Sequence, residues 1–106
     1  MNGRIRRGYL GIAGQHIQIP LRVIHYNKLG SNSGVKIESI QKQRHIDNQL
    51  LKRGDIIVEF NGEPVYSIDG LQRFLDEDTI GKKVILGILR KGYKEKIEVV
   101  PGELVE

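Results

Sequence analysis

The chain of 106 residues contains no cysteine. Disulfide bonds, thiol catalysis and cysteine-ligated metal sites are therefore excluded. No apolar run reaches the length that crosses a membrane, so we expect no direct insertion into a membrane. The first four residues also lack the apolar stretch of a signal peptide.

The sequence has no internal repeat, no low-complexity tract and no linker. A chain of this length can bury one hydrophobic core but not two lobes with a cleft between them. We therefore expect residues 1–106 to form one domain, with its core at about 6–103, cut from a larger protein. We expect this isolated domain to be a monomer.

The charge balance is mildly basic, with 17 Lys and Arg against 13 Asp and Glu and a net charge of +4. A nucleic-acid module would more often cluster its basic residues beside exposed aromatic side chains. Here they are scattered, so we expect an ordinary solvated surface and no nucleic-acid partner, and a basic nucleic-acid-binding barrel is the weakest hypothesis. The scattered basic residues are Arg4, Arg6, Arg7, Lys52, Arg53, Lys82, Lys83, Arg90, Lys91, Lys94 and Lys96.

Residues that could support catalysis do not occur in a catalytic pattern. The histidines His16, His25 and His45 lack the spacing of metal ligands. No serine lies in a Gly-x-Ser-x-Gly motif, and the glycine-containing stretch 30–34 lacks the Lys-Ser/Thr that follows a phosphate-binding loop. The sequence therefore predicts no catalytic residue, no metal site and no cofactor in this domain.

Short strands dominate the expected secondary structure. A strand from Tyr9 to Ala13 should end at Gly14, and apolar residues with a period of two predict extended structure in the stretch 17–29. Further strands are expected around 35–40, 55–60, 84–89 and 97–100, with tight turns at Asn61-Gly62 and Lys91-Gly92. We expect the tail from Pro101 to be frayed.

Two helical segments are expected to cap these strands. Ser67 is a good N-cap for a helix whose apolar residues, from Ile68 to Leu75, have helical spacing, and Gly81 is a plausible stop. The stretch 46–51 predicts one short helical turn. The fold class is therefore α+β and mostly β, a small, partly open antiparallel barrel or sandwich of five or six strands with two helices. The residues expected in its core are Ile57, Leu71, Phe74, Val84 and Ile88.

The run Gly8-Tyr9-Leu10-Gly11-Ile12 suggests a binding feature. Gly11 can adopt a positive φ without steric cost, which allows a sharp bend. Successive amide groups in such a bend can converge on an anion, and Leu10 and Ile12 would flank it as apolar walls. Amides for a carboxylate beside apolar walls for a side chain suit the free end of a peptide.

Several motifs together resemble a PDZ domain. The most specific part is Gly54-Asp55-Ile56-Ile57 followed by Asn61-Gly62 at the spacing typical of the family. The other matching motifs are the Gly8–Ile12 run, Gly34-Val35, residues 71–75, Gly81 and Arg90-Lys91-Gly92. The run Tyr9-Leu10-Gly11-Ile12 narrows the resemblance to the PDZ domain that follows the catalytic domain in prokaryotic HtrA/Deg serine proteases. Residues 44–53 depart from the family pattern, since Leu50 stands where glycine is common.

The resemblance implies peptide capture by β-strand addition beside the main helix. The backbone amides of Leu10, Gly11 and Ile12 would hold the terminal carboxylate, with electrostatic assistance from Arg6 or Arg7. The peptide pocket would be lined by Leu10, Ile12, Ile68, Gln72 and Leu75. Partners would be peptides or unfolded proteins with apolar C-termini.

The resemblance also implies a regulatory role in substrate recognition or activation, in a chain that carries a protease domain and works in the cell envelope or periplasm. The domain itself would be non-catalytic. The alternative hypothesis is a structural or oligomer-contact adaptor whose groove is unused or covered by its own residues 15–33.

Overall fold

A computed structural model describes residues 7–104 of the chain. The described part contains two α-helices, α1 (Leu21–Asn27) and α2 (Ile68–Phe74), and a short 3₁₀ helix at Glu77–Thr79. Its strands are β1 (Arg7–Tyr9), β2 (Ile12–Gln18), β3 (Ser33–Ile40), β4 (Ile56–Phe60), β5 (Glu63–Pro64), β6 (Val84–Arg90), β7 (Tyr93–Val99) and β8 (Gly102–Leu104).

The strands form one antiparallel sheet of six strands and one separate pair. The sheet has the order β2-β3-β4-β6-β7, with β5 added to β4, and β1 pairs with β8. The sheet is not closed, which confirms the predicted mostly-β, partly open architecture. Because β2 is at one end of the order, one of its edges has no strand partner within residues 7–104.

The main core lies between the six-stranded sheet and α2. Ile57, Leu86 and Ile88 are fully buried there, and Phe74 packs against this cluster and stacks on Phe60 with ring centroids 5.1 Å apart. A second, smaller cluster of Ile19, Val58 and Leu89 is covered by Val23 and Ile24 of α1. The residues predicted as core are thus buried or packed against it, and the two helices serve different clusters.

The turn and cap predictions that rest on local chemistry are confirmed. Asn61 and Gly62 have φ values of 50° and 86°, and Lys91 and Gly92 have 55° and 83°, the left-handed pair that a two-residue hairpin turn requires. Ser67 caps α2, because its hydroxyl oxygen accepts a hydrogen bond of 3.1 Å from the Gly70 amide.

The prediction of extended structure throughout 17–29 is wrong in its second half. Strand β2 ends at Gln18, and α1 follows Pro20, whose carbonyl oxygen accepts hydrogen bonds from the amides of Val23 and Ile24. The period-two pattern was misleading because Leu21, one of its members, is 71% exposed. Packing of Val23 and Ile24 on the second cluster selects the helix instead.

The region around Gly14 and the stretch 46–51 also differ from expectation. Gly14 does not end a strand: β1 ends at Tyr9, and β2 runs through Gly14 with a register shift between Ala13 and Gly14. The stretch 46–51 is not helical, because the amide and carbonyl of Asp47 both bond to Val100, each at 2.9 Å. That long-range bridge uses the backbone groups a helical turn would need.

Helix α2 stops earlier than Gly81, at Phe74, and the 3₁₀ helix follows. Asp76 begins the 3₁₀ helix, since its carboxylate accepts a hydrogen bond of 3.0 Å from the Asp78 amide. The acidic residues Asp76, Glu77 and Asp78 therefore lie at the start of a new helix, where negative charge is favourable.

The tail is not frayed up to residue 104. Pro101 is buried, its carbonyl oxygen accepts a hydrogen bond of 2.9 Å from the Gly81 amide, and β8 pairs with β1. The long-range pairing with β1 holds this segment.

Candidate functional site: a groove between β2 and α2

An apolar groove runs between the open edge of β2 and helix α2, with a volume of about 140 Å³. An enclosed cavity of about this size is enough for a group as large as benzene. The groove is lined by Arg7, Gly8, Tyr9, Leu10, Ile12, Gly14, Val35, Ile68, Leu71, Gln72, Leu75 and Leu104.

All five side chains predicted for the peptide pocket line this one groove. Leu10 and Leu75 are buried, Ile12 and Ile68 are half-buried, and Gln72 is exposed. The four apolar ones also contact the main core. The groove is therefore a surface continuation of the core, and the role of these residues in ligand binding stays a prediction.

Gly11 makes the bend at the end of the groove. Its φ is +71°, a conformation that favours glycine, and a β-carbon there would lie 2.6 Å from the Gln41 carbonyl oxygen. The Gly11 carbonyl oxygen accepts a hydrogen bond of 2.6 Å from the Gln41 amide. In a trans peptide the N–H points opposite to the C=O, so the Ile12 amide points away from Gln41.

The register of β2 against β3 gives the same direction for Ile12. Ile12 lies opposite Ile40, and the hydrogen bond from Gln41 to Gly11 joins the two residues that flank this pair. In an antiparallel ladder, that arrangement marks a non-hydrogen-bonded pair, whose N–H and C=O groups point away from the partner strand. Both backbone groups of Ile12 therefore face the open edge.

Gly14 presents its backbone to the same edge. It lies opposite Ile37, whose amide donates to the Asp55 carbonyl oxygen at 2.8 Å and whose carbonyl oxygen accepts from the Gly54 amide at 2.9 Å. Because Ile37 uses both groups on its other side, Gly14 forms no ladder bond with it, and its N–H and C=O point toward α2. The side of β2 that faces the groove thus carries backbone donors and acceptors with no ladder partner among residues 7–104.

A basic side chain lines the groove. Arg7 is exposed and lines the groove beside Tyr9 and Leu10. Arg6, the other predicted source of electrostatic assistance, lies outside the described residues. Arg7 therefore contributes a permanent cation to the lining of the groove.

Several groove residues were not predicted from the sequence. Gly14 and Val35 form the floor in the middle of the groove, and Leu104 contributes from β8. A β-carbon on Gly14 would lie 2.4 Å from Cγ1 of Val35, so Val35 fills the place of a Gly14 side chain. Leu104 was missed because the tail was expected to be frayed, and only the apolar pair Leu104-Val105 in the tail sequence could have indicated otherwise.

The stretch 15–33, which the alternative hypothesis placed over the groove, lies elsewhere. None of its residues lines the groove. The end of β2 forms the sheet edge, and α1 packs on the second cluster, where the Asn27 side chain donates to the Gly92 carbonyl oxygen at 2.9 Å. The groove is not covered by this stretch.

Residues 7–104 were predicted to hold neither a metal site nor a membrane segment. No group of three or more His, Asp or Glu side chains there could hold a metal ion. None of the helices in the same range is long and apolar enough to span a membrane.

Comparison with known proteins agrees with this geometry. Residues 8–100 match the PDZ domain family, so the chain belongs to the PDZ domain family. Its relatives include a probable serine protease do-like protein of Buchnera aphidicola, 30% identical over 97 residues, and the periplasmic serine endoprotease DegP of Escherichia coli, 27% identical over 97 residues. Each match covers 92% of this chain and 20% of the relative, so the chain spans about a fifth of these proteins.

Solved structures share the fold. The HtrA-type protease AlgW with a decapeptide aligns over 99% of this chain and 32% of its own, with a TM-score of 0.73 and 18% identity. The HtrA3 PDZ domain bound to a phage-derived ligand, FGRWV, aligns over 98% of this chain and 91% of its own, with a TM-score of 0.57 and 20% identity. Both neighbours hold peptides.

Proposed function

We propose that this domain captures apolar C-terminal ends of peptides, or extended peptide segments, by adding them as a strand to the open edge of β2. The observation that carries the proposal is the free backbone edge at Ile12 and Gly14 beside an apolar groove. Main-chain hydrogen bonds along such an edge give affinity, and side-chain pockets give specificity.

The bend at Gly11 sets the direction of the ligand. The amides of Leu10, Gly11 and Ile12 would hold the terminal carboxylate, and hydrogen bonds to a charged acceptor are roughly twice as strong as neutral ones. The upstream residues would then run along β2 toward Gln18, antiparallel to it. Arg7 would add attraction at longer range.

Specificity would come from two apolar positions. The terminal side chain would enter between Leu10, Ile12 and Leu75, where burial contributes about 1.5–3 kcal/mol before the costs of ordering. The third residue from the end would lie over Gly14 and Val35, against Ile68. Both positions favour apolar side chains, and the cost of immobilising the peptide should leave an affinity of about micromolar.

In the intact protein, the domain would recognise substrates or activating peptides for a trypsin-like protease domain on the same chain. The similarity to DegP and HtrA-type proteases supports this role. The domain itself would carry no catalytic residue, would be monomeric in isolation, and would work in the cell envelope, as the word periplasmic in its relatives' names suggests. A role as an adaptor with a covered groove receives no support from the placement of residues 15–33.

The test is a titration of the ¹⁵N-labelled domain with a library of short peptides that end in Val, Leu, Phe, Ser or Lys. We expect amide shifts confined to residues 9–14 and 68–75, with apolar ends binding more tightly than Ser or Lys ends. Shifts that spread over the lysine and arginine surface and vanish with salt would indicate the nucleic-acid hypothesis instead. An absence of shifts would support the adaptor.

A further inference from the structure

We infer that Asn48 is a positioning residue that directs the Gly11 amide into the groove, and that it thereby determines how strongly the domain distinguishes a free carboxylate from an uncharged peptide end. The inference rests on the proposed capture of C-terminal ends. It concerns a side chain that lines no part of the groove.

Asn48 holds the bend from the protein interior. Asn48 is only 2% exposed, and its Nδ2 donates to the carbonyl oxygens of Leu10 at 2.8 Å and Gln41 at 3.2 Å. Both partners are acceptors, so the side-chain nitrogen, and not the oxygen, must face them. One buried amide group therefore fastens the bend to the segment that follows β3.

The bond to Leu10 fixes the direction of the Gly11 amide. The Leu10 C=O and the Gly11 N–H belong to one planar trans peptide and point in opposite directions. With the carbonyl held by Asn48, the N–H points away from Asn48, toward the side where Leu10 and Ile12 line the groove. Gly11 is buried, and no turn or loop backbone bond within residues 7–104 uses its amide, so its partner would be a ligand in the groove.

The surroundings hold Asn48 in place. The neighbouring Asp47 is joined to Val100 by two backbone hydrogen bonds of 2.9 Å, and the Leu51 amide donates to the Asn48 carbonyl oxygen at 3.1 Å. A β-carbon on Gly11 would lie 3.0 Å from Asn48 Nδ2. The Asn48 side chain can therefore pack this closely against the bend only because residue 11 is glycine. This close packing agrees with a role for both residues in shaping the bend.

The test uses Asn48→Ser, which keeps a small polar side chain but removes the reach to Leu10. Asn27→Ser is a matched control, because the Asn27 side chain also forms hydrogen bonds to backbone groups that are distant in sequence. Its Nδ2 donates to the Gly92 carbonyl oxygen and its Oδ1 accepts from the Lys94 amide at 3.0 Å, at the end of α1 and away from the groove. Each protein is titrated with acetyl-Gly-Ala-Phe-Ala-Val as the free acid and as the C-terminal amide.

The readout is the dissociation constant of the amide divided by that of the free acid. A purely structural role of Asn48 would leave this ratio unchanged. We expect Asn48→Ser to reduce this ratio at least about fivefold and Asn27→Ser to leave it at the wild-type value, even if both lower the melting temperature. A wild-type ratio in folded Asn48→Ser would overturn the inference. A ratio of one in the wild-type domain would instead overturn the proposed carboxylate capture.

A measurement on the wild-type domain covers the case in which Asn48→Ser does not fold. The free-acid peptide should shift the side-chain NH₂ resonances of Asn48 together with the Gly11 amide, since they lie at the two ends of one peptide unit. The amidated peptide should shift neither to the same extent. A Gly11 shift with no response from the Asn48 side chain would contradict the inference.

Discussion

Gly11 and Gln41 are joined by a backbone hydrogen bond, and Gln41 leaves no room for a side chain on Gly11. The Gly11 carbonyl oxygen accepts a hydrogen bond of 2.6 Å from the Gln41 amide, and a β-carbon on Gly11 would lie 2.6 Å from the Gln41 carbonyl oxygen. The bend that shapes the groove is thus packed against the end of β3 with no room for a side chain. Stability and binding should both depend on this glycine.

Gly11→Ala should destabilise the domain and weaken peptide binding. The cost combines a left-handed conformation, about 1–2 kcal/mol for a residue with a β-carbon, with a steric contact that moves the bend. Gly81→Ala is the matched control, because Gly81 has a similar φ of +75° but open space around its β-carbon. In urea unfolding, Gly11→Ala should lose clearly more stability than Gly81→Ala. Equal losses would show that the contact with Gln41 is unimportant.

Ile12→Asp should abolish peptide binding while the domain stays folded. Ile12 is only half-buried, so the fold tolerates the change, but the ligand loses an apolar wall and meets a negative charge beside its carboxylate. We expect affinity to fall at least about thirtyfold, from about 2 kcal/mol of lost apolar contact and added repulsion. Isothermal titration calorimetry measures the loss.

Ala13→Asp is the control for that change, since Ala13 is exposed and adjacent side chains on a strand point to opposite faces. It should reduce affinity far less than Ile12→Asp. Binding of wild-type strength in Ile12→Asp would contradict the assignment of the groove.

Lengthening the peptide should increase affinity through the β2 edge. With the terminal residue at Ile12, antiparallel pairing places the third residue from the end opposite Gly14 and the fifth opposite His16. Each added hydrogen bond contributes about 0.5–1.5 kcal/mol, so a pentapeptide should bind several-fold more tightly than its C-terminal tripeptide. N-methylation of the fifth residue from the end should remove most of the gain. A gain that survives N-methylation would argue against strand addition.

Arg90→Leu should reduce stability without changing groove specificity. Arg90 forms two hydrogen bonds to Asp55, at 2.9 Å and 2.6 Å, and the two side chains are 23% and 3% exposed. Removing arginine leaves a buried carboxylate unpaired, and we expect a loss of about 2–3 kcal/mol, less than the roughly 3–5 kcal/mol of a fully buried pair. Urea unfolding measures the loss.

Lys94→Leu is the control, since Lys94 pairs with Glu59 but both side chains are about one-fifth exposed or more, and such pairs contribute about 0–1 kcal/mol.

The hydrogen bond to Asp55 raises the pKa of Arg90. A raised pKa stabilises the fold below the unfolded value and loses that effect only as pH rises through the folded value. The arginine contribution should therefore be constant across neutral pH, and a loss of Arg90 stabilisation near neutral pH would contradict this.

Features with local causes could be predicted from the sequence. The Asn61-Gly62 turn needs only two residues that accept positive φ, and the Ser67 cap needs only its own hydroxyl and a nearby amide. The five side chains expected at the pocket line one groove, an arrangement that the resemblance to PDZ domains implied, and their role in peptide binding stays a prediction.

Features with long-range causes could not be predicted. Helix α1 forms because Val23 and Ile24 meet a cluster to which β4 and β6 contribute. Strand β8 forms because it pairs with β1, and no local pattern shows this pairing because β1 lies about ninety residues earlier in the sequence. Asn48 gave no local signal either. Its importance for the bend depends on the bridge between Asp47 and Val100, which no pattern within 46–51 reveals.

The central claim is that the bend at Gly11 captures a terminal carboxylate, and calorimetry with acetyl-Gly-Ala-Phe-Ala-Val as the free acid and as the amide tests it most directly. Hydrogen bonds to a charged group contribute about 1.5–3 kcal/mol, so we predict that amidation weakens binding at least about tenfold. Equal affinity of the two peptides would contradict the account.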